Sequence, residues 1–270
     1  MLYLRLALLI LFALSTPRAW NLAKGPSRSH LCTALLQQPQ DPYDQKVNQD
    51  LSQSFSYWKK GSQFYAFLSA DRRVVLKIPR ASKIEKSLTK RVFKTSFKSL
   101  QEFLFSLKAV SHFLKEEAAI LYVHYGQVHQ KTPPQFLLTD RFRRPIQIDL
   151  NRTPFVLQQR KDLLSEVFKK ADHPEKKKSI LIAFLDLIIK ERSKGWMCKD
   201  KSFLPNICYA DGRAWRIDIG SYVPLKEDFS LNEATKPVRH WLKEEEPDLL
   251  NWFDEELARR EFFSSSQQSP

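Results

Sequence analysis

Glycine is scarce in this chain of 270 residues, which has 6 glycines beside 15 prolines. So few glycines argue against Gly-rich linkers and internal repeats, and the polar stretch at residues 263–270 is expected to be a disordered tail. Cysteine is scarcer still, and Cys32, Cys198 and Cys208 have neither a metal-ligand spacing nor the pattern of a disulfide framework. A bridge between Cys198 and Cys208 is conceivable, but we expect free buried thiols.

Several kinds of functional motif are also missing. No His–Cys cluster suits zinc, and no G-x-S-x-G segment marks a serine nucleophile. No zinc finger, RNP-type aromatic motif or obvious recognition helix is found. Aromatic residues, 12% of the chain, are spread through apolar segments, which is typical of core packing and not of a base-stacking platform.

Positive charge is abundant, with a formal net charge of +14 and a pI near 9.6. Such a balance predicts attraction to polyanions: nucleic acid, an anionic membrane, an acidic protein or nucleotide phosphates. The alternative is a basic solvated surface without a specific partner.

The N-terminal residues 1–19 contain an apolar run, Leu6 to Leu14, between Arg5 and small residues. The run is short for a bilayer span but suits a signal peptide, so residues 1–19 are expected to direct export or to anchor the chain. The alternative is a cytoplasmic protein. Residues 20–50 are expected to form a flexible lead-in.

Short runs of β-branched and aromatic residues predict a sheet-rich lobe at residues 51–160. Apolar residues from Leu100 to Leu114 fall on one helical stripe. Lysines at helical spacing in residues 83–98 indicate a basic amphipathic helix or a solvated charged face. The expected strands are SFSYW, FYAFLS and VVLKI before the helix, then ILYVHYG, QFLLTD, PIQIDL and PFVLQQR after it.

Helices are expected to dominate residues 161–262. An amphipathic helix is predicted over Lys161–Lys170, and Pro174 can begin another. The second contains Ile180 to Ile189, is apolar almost all round, and is therefore expected to be buried.

Later prolines predict where that helical region is interrupted. The chain is expected to break at Pro224 and Pro237, and Pro247 to begin a last helix. With the sheet-rich lobe, this predicts an α+β fold.

The densest group of chemically useful residues lies between 195 and 220. Asp200 is followed by Asn206, and a β-like run from Ala214 to Ile217 precedes Asp218. Two acids and an amide make a candidate site for a divalent metal and nucleotide phosphates, because hard cations prefer oxygen ligands.

Lys77 stands in the otherwise apolar segment VVLKI. It could bind a phosphate as a compact point charge, or extend to solvent from an edge strand. Glu102, Glu116 and Glu117, on or just after the following helix, could reach it, or face solvent.

The order of these features resembles the protein-kinase-like fold. VVLKI resembles the third-strand VAIK segment, with Lys77 as its lysine. CKDKSFLPN resembles the catalytic loop HRDxxxxN through Asp200 and Asn206, and DIG resembles DFG through Asp218. PFVLQQR, which contains Gln158, resembles the last small-lobe strand and the hinge. Several segments also resemble kinase-like proteins of chlamydiae.

This resemblance implies a two-lobed fold: a small antiparallel-sheet lobe with one long helix, and a shortened, mainly helical lobe. It also implies ATP and Mg²⁺ as cofactors. By the same resemblance, the catalytic residues are Asp200 and Lys77, the nucleotide-binding residues Gly61, Lys77 and Gln158, the metal ligands Asn206 and Asp218, and the supporting glutamates Glu102 and Glu116.

The chain departs from the kinase pattern at several points. Gly61 is the one glycine in the loop KKGSQFY, Cys198-Lys199 replaces His-Arg, one extra residue precedes Asn206, and no APE segment follows DIG. These departures indicate an atypical kinase, a small-molecule kinase or an inactive relative.

Three functions therefore compete. The first is an atypical ATP- and Mg²⁺-dependent phosphotransferase acting on an unknown protein or small molecule. The second is an inactive kinase-like binding module, exported or membrane-anchored, with a basic surface. The third is a basic protein of another α+β fold that binds nucleic acid or a membrane surface. We expect a monomer that binds nucleotide; an anionic membrane surface is a further candidate partner, and nucleic acid is not expected.

Overall fold

The computed structural model describes residues 44–61, 63–80, 105–125, 136–148, 153–200, 202–226 and 230–266. The predictions for residues 1–19, for the lysine-rich segment 83–98 and for Glu102 lie outside these ranges. The described part combines a mixed multi-strand sheet with several helices, which confirms an α+β fold.

The chain divides into two compact units. Within the described ranges, the first contains residues 44–80 and 121–160, and the second contains residues 105–120 and 161–266. The helix between the two groups of strands thus belongs to the second unit.

The first unit is a seven-stranded sheet with one short helix. Its strand order is β4-β7-β3-β2-β1-β5-β6, and β5 runs parallel to β1 while β1–β2, β2–β3, β3–β7 and β5–β6 are antiparallel pairs. The elements are α1 (Gln45–Leu51), β1 (Phe55–Lys60), β2 (Phe64–Ser69), β3 (Val74–Pro79), β4 (Ile120–His124), β5 (Leu138–Thr139), β6 (Pro145–Ile146) and β7 (Phe155–Gln159).

Alternation along these strands builds the core of the first unit. Phe67, Leu76 and Leu157 lie on one face of the sheet and are fully buried in a cluster that also includes Val47 and Leu51 of α1. The last residues of the expected flexible lead-in, 45–50, belong to helix α1, so this part of the lead-in is ordered. The Asp44 carboxylate caps the helix by accepting from the Val47 N–H at 2.6 Å.

The segments QFLLTD and PIQIDL are each expected to form a strand, and each forms a strand of only two residues, β5 and β6. The reason is a tight turn built by Asp140, whose carboxylate accepts from the N–H groups of Phe142 at 2.8 Å and Arg144 at 3.0 Å. An aspartate that satisfies its own turn in this way ends the strand early.

The second unit is mainly helical. Its strands form a three-stranded sheet, β11-β10-β8, and a two-stranded sheet, β12-β9. The elements are α2 (residues 105–113), β8 (Asp162–Leu163), α3 (Leu164–Lys169), α4 (Pro174–Ser193), β9 (Trp196–Cys198), β10 (Ile207–Ala210), β11 (Arg213–Arg216), β12 (Tyr222–Pro224), α5 (Leu231–Glu245) and α6 (Pro247–Ser266).

Helix α4 begins at Pro174 and α6 at Pro247, which confirms both predicted starts. Buried residues occupy most of α4 from Ile180 to Ile188, so the expected burial of this helix is also confirmed. The helix predicted over 161–170 begins only at Leu164, because Asp162 and Leu163 pair with β10 as a strand.

Pro237 does not break the chain: it lies inside α5, so that prediction is wrong. A proline within a helix costs about 3 kcal/mol through a lost hydrogen bond and a steric clash. Helix α5 buries Leu231, Val238, Trp241 and Leu242 on one side, and burial of such side chains contributes about 1.5–3 kcal/mol each. The apolar face therefore outweighs the proline.

Candidate functional site

Asp200 and Asn206 meet in the loop that follows β9. The Asp200 carboxylate accepts from the Ser202 N–H at 2.8 Å through Oδ1 and from Asn206 Nδ2 at 3.0 Å through Oδ2. The loop is tied at its start by Lys199 N–H, which donates to the Ser221 carbonyl at 2.8 Å. The sequence places an acid and an amide six residues apart, and the loop brings them into direct contact.

The hairpin of β10 and β11 carries Asp218 back to the same place. Its turn residues Asp211 and Gly212 have φ of 48° and 73°, as the Asp-Gly sequence of a type I′ hairpin requires. At the open end of the hairpin, just before β10 and just after β11, the Ile217 N–H donates to the Asn206 carbonyl at 2.8 Å. Asp218 is the next residue, and its Oδ1 accepts from the Gly220 N–H at 3.2 Å.

Asp200 and Asp218 are neighbours in this site, because Asp218 is among the groups that shift the pKa of Asp200. Burial raises the pKa of Asp200, but bonds from Ser202, Asn206 and Asp218 outweigh this and leave its pKa below the ordinary value. Two neighbouring carboxylates repel when both are charged, and a bound cation relieves that repulsion.

Asn206 leaves an oxygen available beside this pair. Its side-chain NH₂ donates to Asp200, and the amide oxygen has no partner among the described residues. Two carboxylates and an amide oxygen fit Mg²⁺, which takes one or two carboxylates and completes its shell with water and phosphate oxygens. Within the described ranges, no cluster of three or more His, Cys, Asp or Glu side chains could hold a metal, so the ligand set needs Asn206.

A small pocket of about 40 Å³ adjoins Asp200. Apolar side chains from α4, β9 and α5 form most of its wall, with Glu191, Cys198 and Arg216 as polar members. This volume exceeds the roughly 10–15 Å³ that a cavity needs to hold one water, so the pocket can admit water. Burial raises the pKa of Cys198 to about 11, so this thiol is protonated at neutral pH.

A buried ionic network supports the strands that hold the two acids. Arg216 on β11 donates to Glu191 on α4 through Nε at 2.9 Å and Nη2 at 3.0 Å, and the Tyr222 hydroxyl of β12 donates to the same carboxylate. Burial alone would lower the pKa of Arg216, but Glu191 raises it well above the ordinary value. Arg216 and Tyr222 flank Asp218 in the chain, so Glu191 fixes both ends of that segment.

Helix α2 holds the same segment from another side. The fully buried Ser106 hydroxyl donates to the Ile219 carbonyl and accepts from the Tyr222 N–H, both at 2.7 Å. Just after the helix, Glu117 is 4% exposed and accepts from Lys194 Nζ at 2.9 and 2.8 Å. Glu116, the glutamate predicted to support Lys77, is exposed.

Three other predicted site residues, Lys77, Gln158 and Gly61, belong to the first unit. Lys77 on β3 is half-buried and opposite Val156, and the buried Gln158 is opposite Val75. Opposed residues and residues two apart share a face, so Lys77 and Gln158 lie on the face opposite to the Phe67–Leu76–Leu157 core.

Gly61 lies between β1 and β2. Its N–H donates to the Phe64 carbonyl at 2.9 Å, and its carbonyl accepts from Arg80 Nη1 at 3.0 Å. A Cβ at this position would meet the Phe64 carbonyl oxygen at 3.5 Å, an ordinary contact. The hairpin itself therefore does not require glycine here.

The structure thus brings together Asp200, Asn206 and Asp218, and separately places Lys77 and Gln158 on one face of a sheet. Sequence reasoning missed Glu191, Arg216, Tyr222 and Ser106. A signal existed for the first of these, because a glutamate in a helix that is apolar almost all round needs a buried partner. The identity of that partner, 25 residues away, had no local signal.

Neither the models of known protein families nor the curated protein sequences give a match to this chain. In the part of the chain described by the structure, no helix has the length and apolar character to cross a membrane.

Proposed function

We propose that the protein is an atypical ATP- and Mg²⁺-dependent phosphotransferase with a kinase-like fold. The observation that carries this proposal is the meeting of Asp200, Asn206 and Asp218 on a frame tied by backbone hydrogen bonds. Phosphoryl transfer depends on positioning and charge neutralisation more than on covalent chemistry by the protein, and this group of oxygens suits that task.

The order of elements also supports a kinase-like assignment. A lysine on the third strand of a sheet precedes a buried helix, an acid-containing loop, a tight hairpin and a second acid. In the proposed enzyme, Lys77 binds phosphate oxygens, and Gln158 and Gly61 line the nucleotide site.

The roles of the three clustered residues follow from their chemistry. Asp218 and the amide oxygen of Asn206 are suited to hold Mg²⁺, which would neutralise charge on the transferred phosphoryl group. Asp200 orients the acceptor hydroxyl and accepts its proton. Because its pKa lies below the ordinary value, Asp200 is ionised at neutral pH and ready to accept a hydrogen bond from that hydroxyl.

One observation favours the second candidate, a binding module without catalysis. The Gly61 N–H is engaged by the Phe64 carbonyl inside the β1–β2 hairpin, so it is not available to a phosphate in this conformation. An enzyme that lacked backbone donors over the phosphates would bind nucleotide weakly.

Turnover of ATP separates the two candidates. We expect the full chain with Mg²⁺ to release or transfer the γ-phosphoryl group of radiolabelled ATP, with water or the protein itself as acceptor. Asp200→Asn should reduce this rate by about 10²–10⁴-fold, because the proton acceptor is lost, whereas ATP binding should change much less, because Asp218 and Asn206 remain. Asp172→Ala, at an exposed acid without a role in the site, is the matched control.

Binding without turnover in the wild type would support the binding module. Equal turnover in the wild type and in Asp200→Asn would exclude this site as the source of the activity.

A further inference from the structure

Two exposed phenylalanines and a half-buried tryptophan form a group in the second unit, defined here as the aromatic patch: Phe105, Phe113 and Trp196. Phe105 is 45% exposed and Phe113 55% exposed. Both rings contact Trp196, with centroid distances of 5.6 Å for Phe105 and 5.5 Å for Phe113, the second pair being stacked. The patch is thus a continuous apolar surface built by α2 and β9.

The patch is not the core-facing side of its helix. Helix α2 buries Leu107 and Val110 at 1% and 0% exposure, and Leu114 follows at 0%. Phe105 and Phe113 lie outside that apolar stripe, two helical turns apart. Large exposed aromatic groups of this kind mark interaction sites on soluble domains.

Basic residues surround the two phenylalanines. Lys108, His112 and Lys115 are exposed, and residues 105–115 contain no acid. Glu116 follows and offsets one of these charges. An apolar patch within a positive field fits an anionic partner and would repel a basic one.

The chain on either side of Trp196 also carries exposed lysines. Lys190, Lys194 and Lys199 are exposed, and Glu117, the carboxylate paired with Lys194, is buried. Lys194 is compensated by this ion pair, and Lys190 and Lys199 add exposed positive charge close to Trp196 in the chain.

We propose that the aromatic patch binds the surface of an anionic membrane. Aromatic rings that enter the interfacial region and lysines that stay with anionic headgroups are the combination that peripheral helices use. The long lysine stems allow this, because they reach charged headgroups while the rings enter the apolar layer. This proposal is independent of phosphotransfer.

Vesicle sedimentation of the full chain tests the proposal. Vesicles of phosphatidylcholine with about 30% phosphatidylglycerol should bind the wild type more tightly than pure phosphatidylcholine vesicles, and high salt should weaken this binding. The double variant Phe105→Ala with Phe113→Ala should reduce the affinity for these vesicles by about tenfold or more, because it removes the two rings that the lipid would bury. Leu137→Ala, at a leucine 53% exposed in the first unit and without a basic residue at positions 136–139, should have no effect.

Charge reversal provides a second arm. Lys108→Glu with Lys115→Glu should reduce affinity for the anionic vesicles by about fivefold or more per lysine, while leaving the weak binding to neutral vesicles unchanged. Lys169→Glu with Lys170→Glu, at two exposed lysines at the end of α3, is the matched control.

Trp196 reports contact with lipid directly. Brominated phosphatidylglycerol should quench part of the tryptophan emission of the wild type, and Trp196→Phe should remove that part. All variants keep the same residues 1–43, so any lipid binding by that segment is common to them. Quenching that is unchanged in Trp196→Phe would overturn the proposal and leave the patch as a protein contact. Equal vesicle affinity of the Phe105 and Phe113 double variant and the Leu137 control would do the same.

Discussion

Breaking the buried Glu191–Arg216 pair on one side should cost a large share of the stability of the second unit. Arg216 is 8% exposed and Glu191 3% exposed at their side chains, so neither is solvated. Glu191→Gln leaves the guanidinium without its counter-charge, and the raised pKa of Arg216 means that it cannot shed its proton. Breaking one side of such a pair costs about 3–5 kcal/mol. Against a total stability of about 5–15 kcal/mol, that loss is severe.

Urea unfolding followed by circular dichroism measures this loss as a fall in the midpoint at unchanged slope. Glu175→Gln is the matched control on the same helix, because Glu175 is 81% exposed and pairs with Lys178 at the surface. Glu175→Gln should lower the free energy of unfolding by less than about 1 kcal/mol.

Removing every polar member of the network should restore most of the stability. The triple variant Glu191→Leu, Arg216→Met and Tyr222→Phe leaves no unpaired polar group from these three side chains, and apolar replacement of a buried ion pair is near neutral. A Glu191→Gln variant that loses less than about 1 kcal/mol would refute the reasoning, and so would a triple variant less stable than that single one.

Three further predictions concern the same region. Ser106→Ala should cost about 2–3 kcal/mol and speed amide exchange at Tyr222, since both its bonds lie in the buried interior; unchanged exchange would contradict this. Cys198, with its pKa raised to about 11, should be alkylated by iodoacetamide at pH 8 at least roughly a hundredfold more slowly in the folded than in the urea-unfolded protein, by peptide mass spectrometry; similar rates would contradict it. Asp200 has a lowered pKa in the fold, so its stabilisation is present above its unfolded pKa and is lost as pH falls through the folded pKa. The stability difference between wild type and Asp200→Asn should therefore shrink between about pH 5 and pH 2, and a constant difference would speak against the pKa shift.

Local sequence patterns predicted much of the fold because they act over a few residues. The β-branched run around Lys77 gives a strand, and the prolines at 174 and 247 begin helices, where the structure has them. Pro237 shows the limit of such rules, because the burial of one face of α5 by tertiary contacts overrides the local cost of the proline.

The candidate site was predictable only in part, because sequence patterns show groups that are close in the chain and do not show partners that are far apart in it. Asp200, Asn206 and Asp218 are close in sequence, and a single hairpin suffices to bring them together. The groups that hold them come from far along the chain: Ser106 bonds to Ile219 across 113 residues. A serine in an apolar helix has no pattern that names such a partner, so only the folded structure shows it.

The central claim is that Asp218 belongs to a site for Mg²⁺ and nucleotide phosphate. Calorimetric titration of the full chain with ATP, with and without Mg²⁺, tests it most directly. We predict that Mg²⁺ strengthens ATP binding to the wild type and to the Asp172→Ala control, and that Asp218→Ala removes this dependence on Mg²⁺. Absent ATP binding, equal affinity with and without Mg²⁺, or an unaffected Asp218→Ala variant would contradict the account.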